Sequence, residues 1–366
     1  MKNIYLIIFA IFIFAGCSTS QVKVNKKTNI ENNNAPYTMQ TANQNDYSSD
    51  VAIQDNFEFD DGSYRVAIVF PSKEVGKYAK DAINTMMAYM LHNKIKFSFE
   101  VFDSFTQEQN NIINVFNEIN NKKFKNVIAL FTQESIDDIL TVNGISDLNI
   151  YLPLINKNEV IKTEQNITYG GIDYKSQIDK LLMLSNKKNT VLYSNNNLGL
   201  KLKNYVEISQ PLRASTAISE HNNVFKKIVK NRKLQNSSLF LNTSIIKSSI
   251  ILSQLRAHDT VPYKILSTQL NYTPLVISLT QYHDRKNFTI ANSIEETDLK
   301  LQESLALFDA DIQYNWVNYS TLVGIDYLFA QNDSRIFPSK IINNQVNYNV
   351  ELLKSTRYGF KKLNTN

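Results

Sequence analysis

Four histidines, one cysteine and 34 carboxylate side chains are the groups in these 366 residues that suit bond-making chemistry. His92, His221, His258 and His283 are scattered, without the short spacing that a metal-binding helix or loop needs. His258-Asp259 and His283-Asp284 are adjacent pairs, and adjacency along a chain does not set a carboxylate behind an imidazole. The sequence contains no nucleophile elbow, phosphate-binding Gly-rich loop or dinucleotide fingerprint, and Gly170-Gly171 alone is a turn signal. These residue types point away from catalysis, and no cofactor or metal is expected. What remains is a lone cysteine at position 17 and a set of neutral hydrogen-bonding side chains where apolar runs end.

Cys17 closes an unusual leader. Lys2 gives Met1–Ser20 a positive start, Ile4–Ala15 is an uncharged run, and the small residues Ala15-Gly16 stand directly before the cysteine. A run this short has the layout of a secretory signal and is too short for a spanning helix. The segment resembles a bacterial lipoprotein signal. That resemblance implies removal of residues 1–16, lipidation of Cys17 and attachment to a membrane through the lipid. Ser18, in place of Asp, resembles the pattern that sorts such proteins to the outer membrane, here on its periplasmic face. With one cysteine, no disulfide framework is available.

Residues 18–63 are rich in Asn, Gln, Ser and Thr and show no sustained apolar periodicity. They are expected to form, with Cys17, a disordered tether over residues 17–63, whose root-mean-square span would be about 40 Å. The formal charge of +5, with both signs scattered, is no nucleic-acid footprint, so no nucleic-acid partner is expected.

From Tyr64 onward, short apolar runs alternate with helical periodicity. Arg65–Phe70, Phe97–Phe102, Asn126–Phe131 and Ile150–Ile155 read as strands, and a stripe from Val75 to Leu91 as the first long helix. The pattern restarts at Thr190–Tyr193, with further strands expected at Ser238–Leu241, Tyr263–Leu266 and Leu275–Leu279. Helices are expected around Leu198–Val206, Val224–Val229, Ile245–Leu255, Leu299–Phe308 and Leu322–Ala330. Such alternation predicts an α/β fold of parallel sheets with right-handed crossovers, in two lobes with a cleft between them. The first lobe would hold about residues 64–187 and 300–332, the second about 188–299 and 333–366.

Ligands of open α/β sheets collect at the carboxyl ends of strands. That places Ser72, Asp103, Ser104, Thr132, Gln133 and Asn156 at the cleft in the first lobe. In the second lobe it places Ser194, Asn195, Thr243, Thr280, Gln281 and Tyr282 there. Such side chains suit a polar ligand or a partner surface, and the same residue types cap helices. Tyr151, Tyr169 and Tyr282 would either line an open cleft or fill a closed one. Trp316, in Asn315–Thr321, would line the cleft or anchor a loop.

The element order resembles the type I periplasmic binding-protein fold. Ile68–Ile83 (IVFPSKEVGKYAKDAI) is similar to that fold's first strand and helix. In its amino-acid receptors the third strand leads into a Gly-Pro loop that grips the ligand. Here the loop is Thr132-Gln133-Glu134-Ser135, without Gly or Pro and with a carboxylate that would repel the ligand's own, which argues against amino-acid capture. Ile150–Asn156, Asn166–Leu182, Leu192–Leu202 and Gly324-Ile325-Asp326 resemble the C-terminal domain of LpoA-type penicillin-binding-protein activators. That resemblance implies a non-enzymatic periplasmic lipoprotein that contacts an envelope protein, such as a peptidoglycan synthase. The alternatives are a receptor that binds a small polar ligand and feeds an ABC transporter, and a structural component of an envelope machine.

Overall fold

Strand β1 (Tyr64–Phe70) shows how the sequence builds the first layer. Val66 and Ile68 point into one core, and Ala67 and Val69 into another on the opposite face. A strand covered on both faces has no polar side to alternate, hence the unbroken apolar run. The computed structural model describes residues 64–329 and 335–363, which fall in one compact unit; the leader, Cys17 and the expected tether lie outside them.

After β1 come helix α1 (Ser72–His92), β2 (Phe97–Asp103), α2 (Gln109–Asn121), β3 (Asn126–Ala129), β4 (Asn149–Leu152) and β5 (Ile167–Tyr169). All five strands are parallel, in the order β5-β4-β3-β1-β2. On α1, Val75, Ala79, Ala82, Met86 and Met90 are buried, while Tyr78 and Leu91 of the expected stripe lie off the packed face. The chain then crosses over at Gly170–Asp173 and repeats the pattern. The second pass comprises α3 (Tyr174–Leu182), β6 (Asn189–Ser194), α4 (Asn197–Ser209), β7 (Leu212–Ile218), β8 (Ser238–Asn242), α5 (Ile245–Ala257), β9 (Lys264–Ser267), α6 (Leu275–Leu279) and β10 (Phe288–Asn292). Its strands are again parallel, in the order β10-β9-β8-β6-β7. Phe240 faces one core layer and Leu239 and Leu241 the other.

A second crossing leads to α7 (Leu299–Ala306) and α8 (Trp316–Phe329), both packed with α1 in the first lobe. The hairpin β11 (Lys340–Ile342) and β12 (Gln345–Asn347) joins the first sheet beside β5. A third crossing delivers β13 (Glu351–Ser355) and β14 (Phe360–Lys362) to the second sheet, where β13 runs antiparallel to β10.

Three expectations need correction. Leu275–Leu279 is a helix, opened by Pro274, and the strand in question is β10, thirteen residues further on. A five-residue apolar run carries no period that separates the two forms, and proline favours a helix's first turn. Residues 340–347, placed with the second lobe, return to the first sheet as β11 and β12. Helix α3, placed with the first lobe, packs Ile178, Leu181 and Leu182 against the second sheet's Val191 and Phe240.

Candidate functional site at the facing strand ends

The first lobe's strand ends are occupied by their own backbone. Asp103 Oδ1 accepts the amides of Ser72 (3.0 Å) and Phe105 (2.8 Å), so it caps the start of α1 and the turn after β2. The Ser104 hydroxyl donates to Thr106 O at 3.0 Å. Thr132 donates both its amide (2.7 Å) and its hydroxyl (2.9 Å) to Gln107 Oε1. Buried Asn156 accepts from Asn158 N at 2.9 Å and donates to Gly171 O at 3.1 Å. Gly171 is required there, because a Cβ would collide with the Ile155 backbone.

Gln133 does something else. Its amide nitrogen donates to Glu159 O, and its Oε1 accepts from Lys201 Nζ at 3.0 Å. Lys201 Nζ also lies 2.9 Å from Glu159 Oε2, and Tyr205 OH donates to Glu159 Oε1 at 3.3 Å. Lys201 and Tyr205 stand one turn apart on α4 of the second lobe, whereas Gln133 and Glu159 follow β3 and β4 of the first. Burial raises the Tyr205 hydroxyl's pKa, and the Glu159 charge adds to that. The four side chains form a clasp across the lobes. A further bridge stands at Tyr272, after β9, whose ring centroid is 5.0 Å from that of Tyr314 before α8.

The second lobe's strand ends carry a buried amide network. Asn242 Oδ1 accepts from the amide (3.1 Å) and hydroxyl (3.3 Å) of Thr268, the Ser267 hydroxyl donates to Leu241 O (2.8 Å), and Asn271 Nδ2 donates to Leu241 O (3.2 Å) and Ser267 Oγ (2.9 Å). Gln177 joins Gln269 and Ser293 through bonds of 2.8–3.1 Å. Asn242 Nδ2, Gln269 Nε2 and Asn271 Oδ1 find no partner. Sequence reasoning passed over these residues; the signal was the polar run Ser267-Thr268-Gln269 directly after an apolar strand.

Of the residues expected in this lobe, Thr243 is buried and bonded to Ser248 Oγ at 2.8 Å. Ser194 ends β6, and Asn196, rather than Asn195, caps α4 by accepting from Gly199 N at 2.8 Å. Thr280, Gln281 and Tyr282 are not at the cleft. They follow α6, and Gln281 accepts from Arg256 at the far end of α5, beside a groove of about 600 Å³ between the end of α5 and the segment that leads into β10. Glu134 is exposed, so water screens the charge expected to repel a ligand's carboxylate.

Tyr151 and Tyr169 are fully buried. Tyr151 OH donates to Ser320 O at 2.9 Å, Tyr348 OH donates to Gly170 O at 2.8 Å, and Trp316 meets the Tyr348 ring edge-on at 4.7 Å. A Cβ on Gly170 or Gly324 would collide with Tyr151. Burial pushes the pKa of both Tyr151 and Tyr169 up to about 12. Trp316 therefore anchors α8 onto this aromatic base of the first lobe. Among the described residues no group of three or more His, Cys, Asp or Glu side chains stands ready for a metal ion, and no helix is long and apolar enough to cross a membrane.

No protein-family profile matches the chain, and no curated protein matches it in sequence. Solved structures do match in fold. A putative branched-chain amino acid ABC transporter protein from Rhodospirillum rubrum superposes with a TM-score of 0.62 at 11% identity, covering 82% of this chain and 100% of that one. A solute-binding protein from R. palustris in complex with 4-hydroxybenzoate gives 0.59 at 8% identity, over 82% and 96%. The C-domain of LpoA from Haemophilus influenzae, described as a regulator of PBP1A, gives 0.53 at 10% identity, over 82% and 99%. The fold is the two-lobed α/β fold of type I periplasmic binding proteins, shared by solute receptors and by LpoA.

Proposed function

We propose that this chain is a non-enzymatic envelope lipoprotein that works by contacting another protein, with a peptidoglycan synthase as the first candidate partner. The observation that carries this reading is the Gln133–Glu159–Lys201–Tyr205 clasp, which occupies the strand ends where receptors of this fold hold their ligands. Asp103, Thr132 and Asn156 are likewise committed to the protein's own backbone and side chains. The likeness to LpoA agrees with a regulator, and the residues before the fold agree with a lipid anchor at Cys17 in the outer membrane. Cys17→Ser should then leave the protein unlipidated; wild-type fractionation of that variant would refute the anchor.

One observation favours a second reading, a receptor for a small polar ligand. The unpartnered amide atoms of Asn242, Gln269 and Asn271 would welcome hydrogen bonds. Thermal melts separate the two. A ligand at a hundredfold its dissociation constant adds about 2.7 kcal/mol, a rise of a few degrees. A screen of amino acids and small aromatic acids at millimolar concentration should leave the melt unchanged. A shift abolished by Asn242→Leu or Gln269→Leu would establish the receptor instead.

A further inference from the structure

Away from the cleft, α7 and the residues that follow it enclose a groove of about 510 Å³. Ala306, Ala310 and Ile312 give it an apolar lining, and Glu303, Asp309 and Asp311 rim it, with no lysine or arginine among the described lining residues. Residues 295–313 hold six carboxylates against one lysine, in a chain whose formal charge is +5. Among the described residues none of those six pairs with a cation, whereas Glu159, Asp179, Glu207 and Asp284 elsewhere each do. Helix α7 buries Leu301 and Leu305 against the core, yet Leu299 is 71% exposed and Leu307, just beyond its end, 85% exposed. A helix needed only for the core would present a mixed-charge polar face to water.

We propose that this groove docks an amphipathic segment of a partner protein, one carrying lysine or arginine beside leucine-sized side chains. This deepens the protein-contact reading and rests on it for the class of partner, but uses no residue of the cleft. Charge complementarity selects the occupant. A basic segment brings cations to three unpaired carboxylates while its apolar stripe covers exposed leucine, the helix-in-groove mode of recognition. An acidic segment would meet like charge, and an anionic lipid surface would be repelled for the same reason.

The test uses the full chain in detergent and a labelled leucine–lysine peptide of about four helical turns, read by fluorescence anisotropy. Binding should weaken about tenfold or more when Glu303→Gln, Asp309→Asn and Asp311→Asn are combined, and should weaken with added salt. Ala306→Trp fills the groove without touching its charge and should weaken binding to a similar degree. Glu134→Gln with Asp137→Asn and Asp138→Asn, an acidic cluster elsewhere, should change nothing. If a scrambled lysine peptide binds equally well, or Ala306→Trp has no effect, the attraction is unspecific and the docking site is refuted. Binding that appears only after Lys23, Lys26 and Lys27 are replaced by Gln would assign the groove to the chain's own basic segment, overturning the partner. Failure here beside a flat ligand screen removes this surface and leaves the protein-contact reading standing.

Discussion

In both sheets five parallel strands run in one order and turn their carboxyl ends toward the other lobe, but the polar groups standing there are held by different means. The first lobe closes its strand ends with side chains bonded to backbone, over a base of buried tyrosines around Gly170, Ser320 and Gly324. The second uses amides bonded to amides and hydroxyls, and leaves three polar atoms without partners. The first lobe has unpartnered atoms too, Tyr169 OH, Tyr319 OH and Trp316 Nε1 among them, but they lie in its aromatic base, whereas those of the second lobe lie in the amide network at its strand ends. The clasp joins the lobes where Lys201 and Tyr205 of the second reach Glu159 of the first.

The largest expected effect is alkaline unfolding, to which buried tyrosines of both lobes contribute, Tyr205 and Tyr272 in the second. Tyr151 and Tyr169, both in the first lobe, have pKa values pushed up to about 12 by burial. The unfolded chain releases those protons near pH 10, so stability is full below pH 10. Between pH 10 and 12 it should fall by about 1.4 kcal/mol per pH unit for each such tyrosine. Urea midpoints followed by the fluorescence of Trp316, the sole tryptophan, should drop over that window, and less steeply in Tyr151→Phe. A midpoint that stays level to pH 12 would contradict the burial of these hydroxyls, and an unchanged slope in Tyr151→Phe would remove the first lobe's share.

Next in size, Asn242→Leu should cost about 1–3 kcal/mol, because the amide and hydroxyl of Thr268 lose their acceptor. The unpartnered Asn242 Nδ2 disappears with them, which holds the loss toward the lower end. A larger loss would mean that the second lobe's network is as tightly committed as the first's. The smallest stability effect belongs to Lys201→Met, on the order of 1 kcal/mol or less, since Lys201 is 31% exposed and its ion pair is partly screened.

The layers were legible in the sequence wherever packing imposes a period or an unbroken run. Strands β1, β3, β6 and β8 declare themselves by residues buried on both faces, and α1 by its stripe. Short edge elements were not legible: β7 alternates weakly, and β11 to β14 are three to five residues long and owe their existence to the chain's return. Within the site, Thr132, Gln133 and Asn156 follow from the rule that strand ends meet the cleft. Gln281 and Tyr282 failed because the rule was applied to a run that is helical. Lys201 and Glu159 could not be paired from sequence, because 42 residues and a lobe crossing separate them.

The central claim, that the lobes are held together by the protein's own side chains, is tested most directly by an interlobe distance. Spin labels at Phe105→Cys and His221→Cys, in a Cys17→Ser background, stand just past the ends of the edge strands β2 and β7 on exposed residues. Pulsed electron resonance should give one narrow distance in the unliganded chain. That distance should be unchanged by amino acids or aromatic acids, and broaden toward longer values in Lys201→Met. A broad or double distribution in the unsubstituted clasp that collapses to a single short distance when a solute is added would contradict the account.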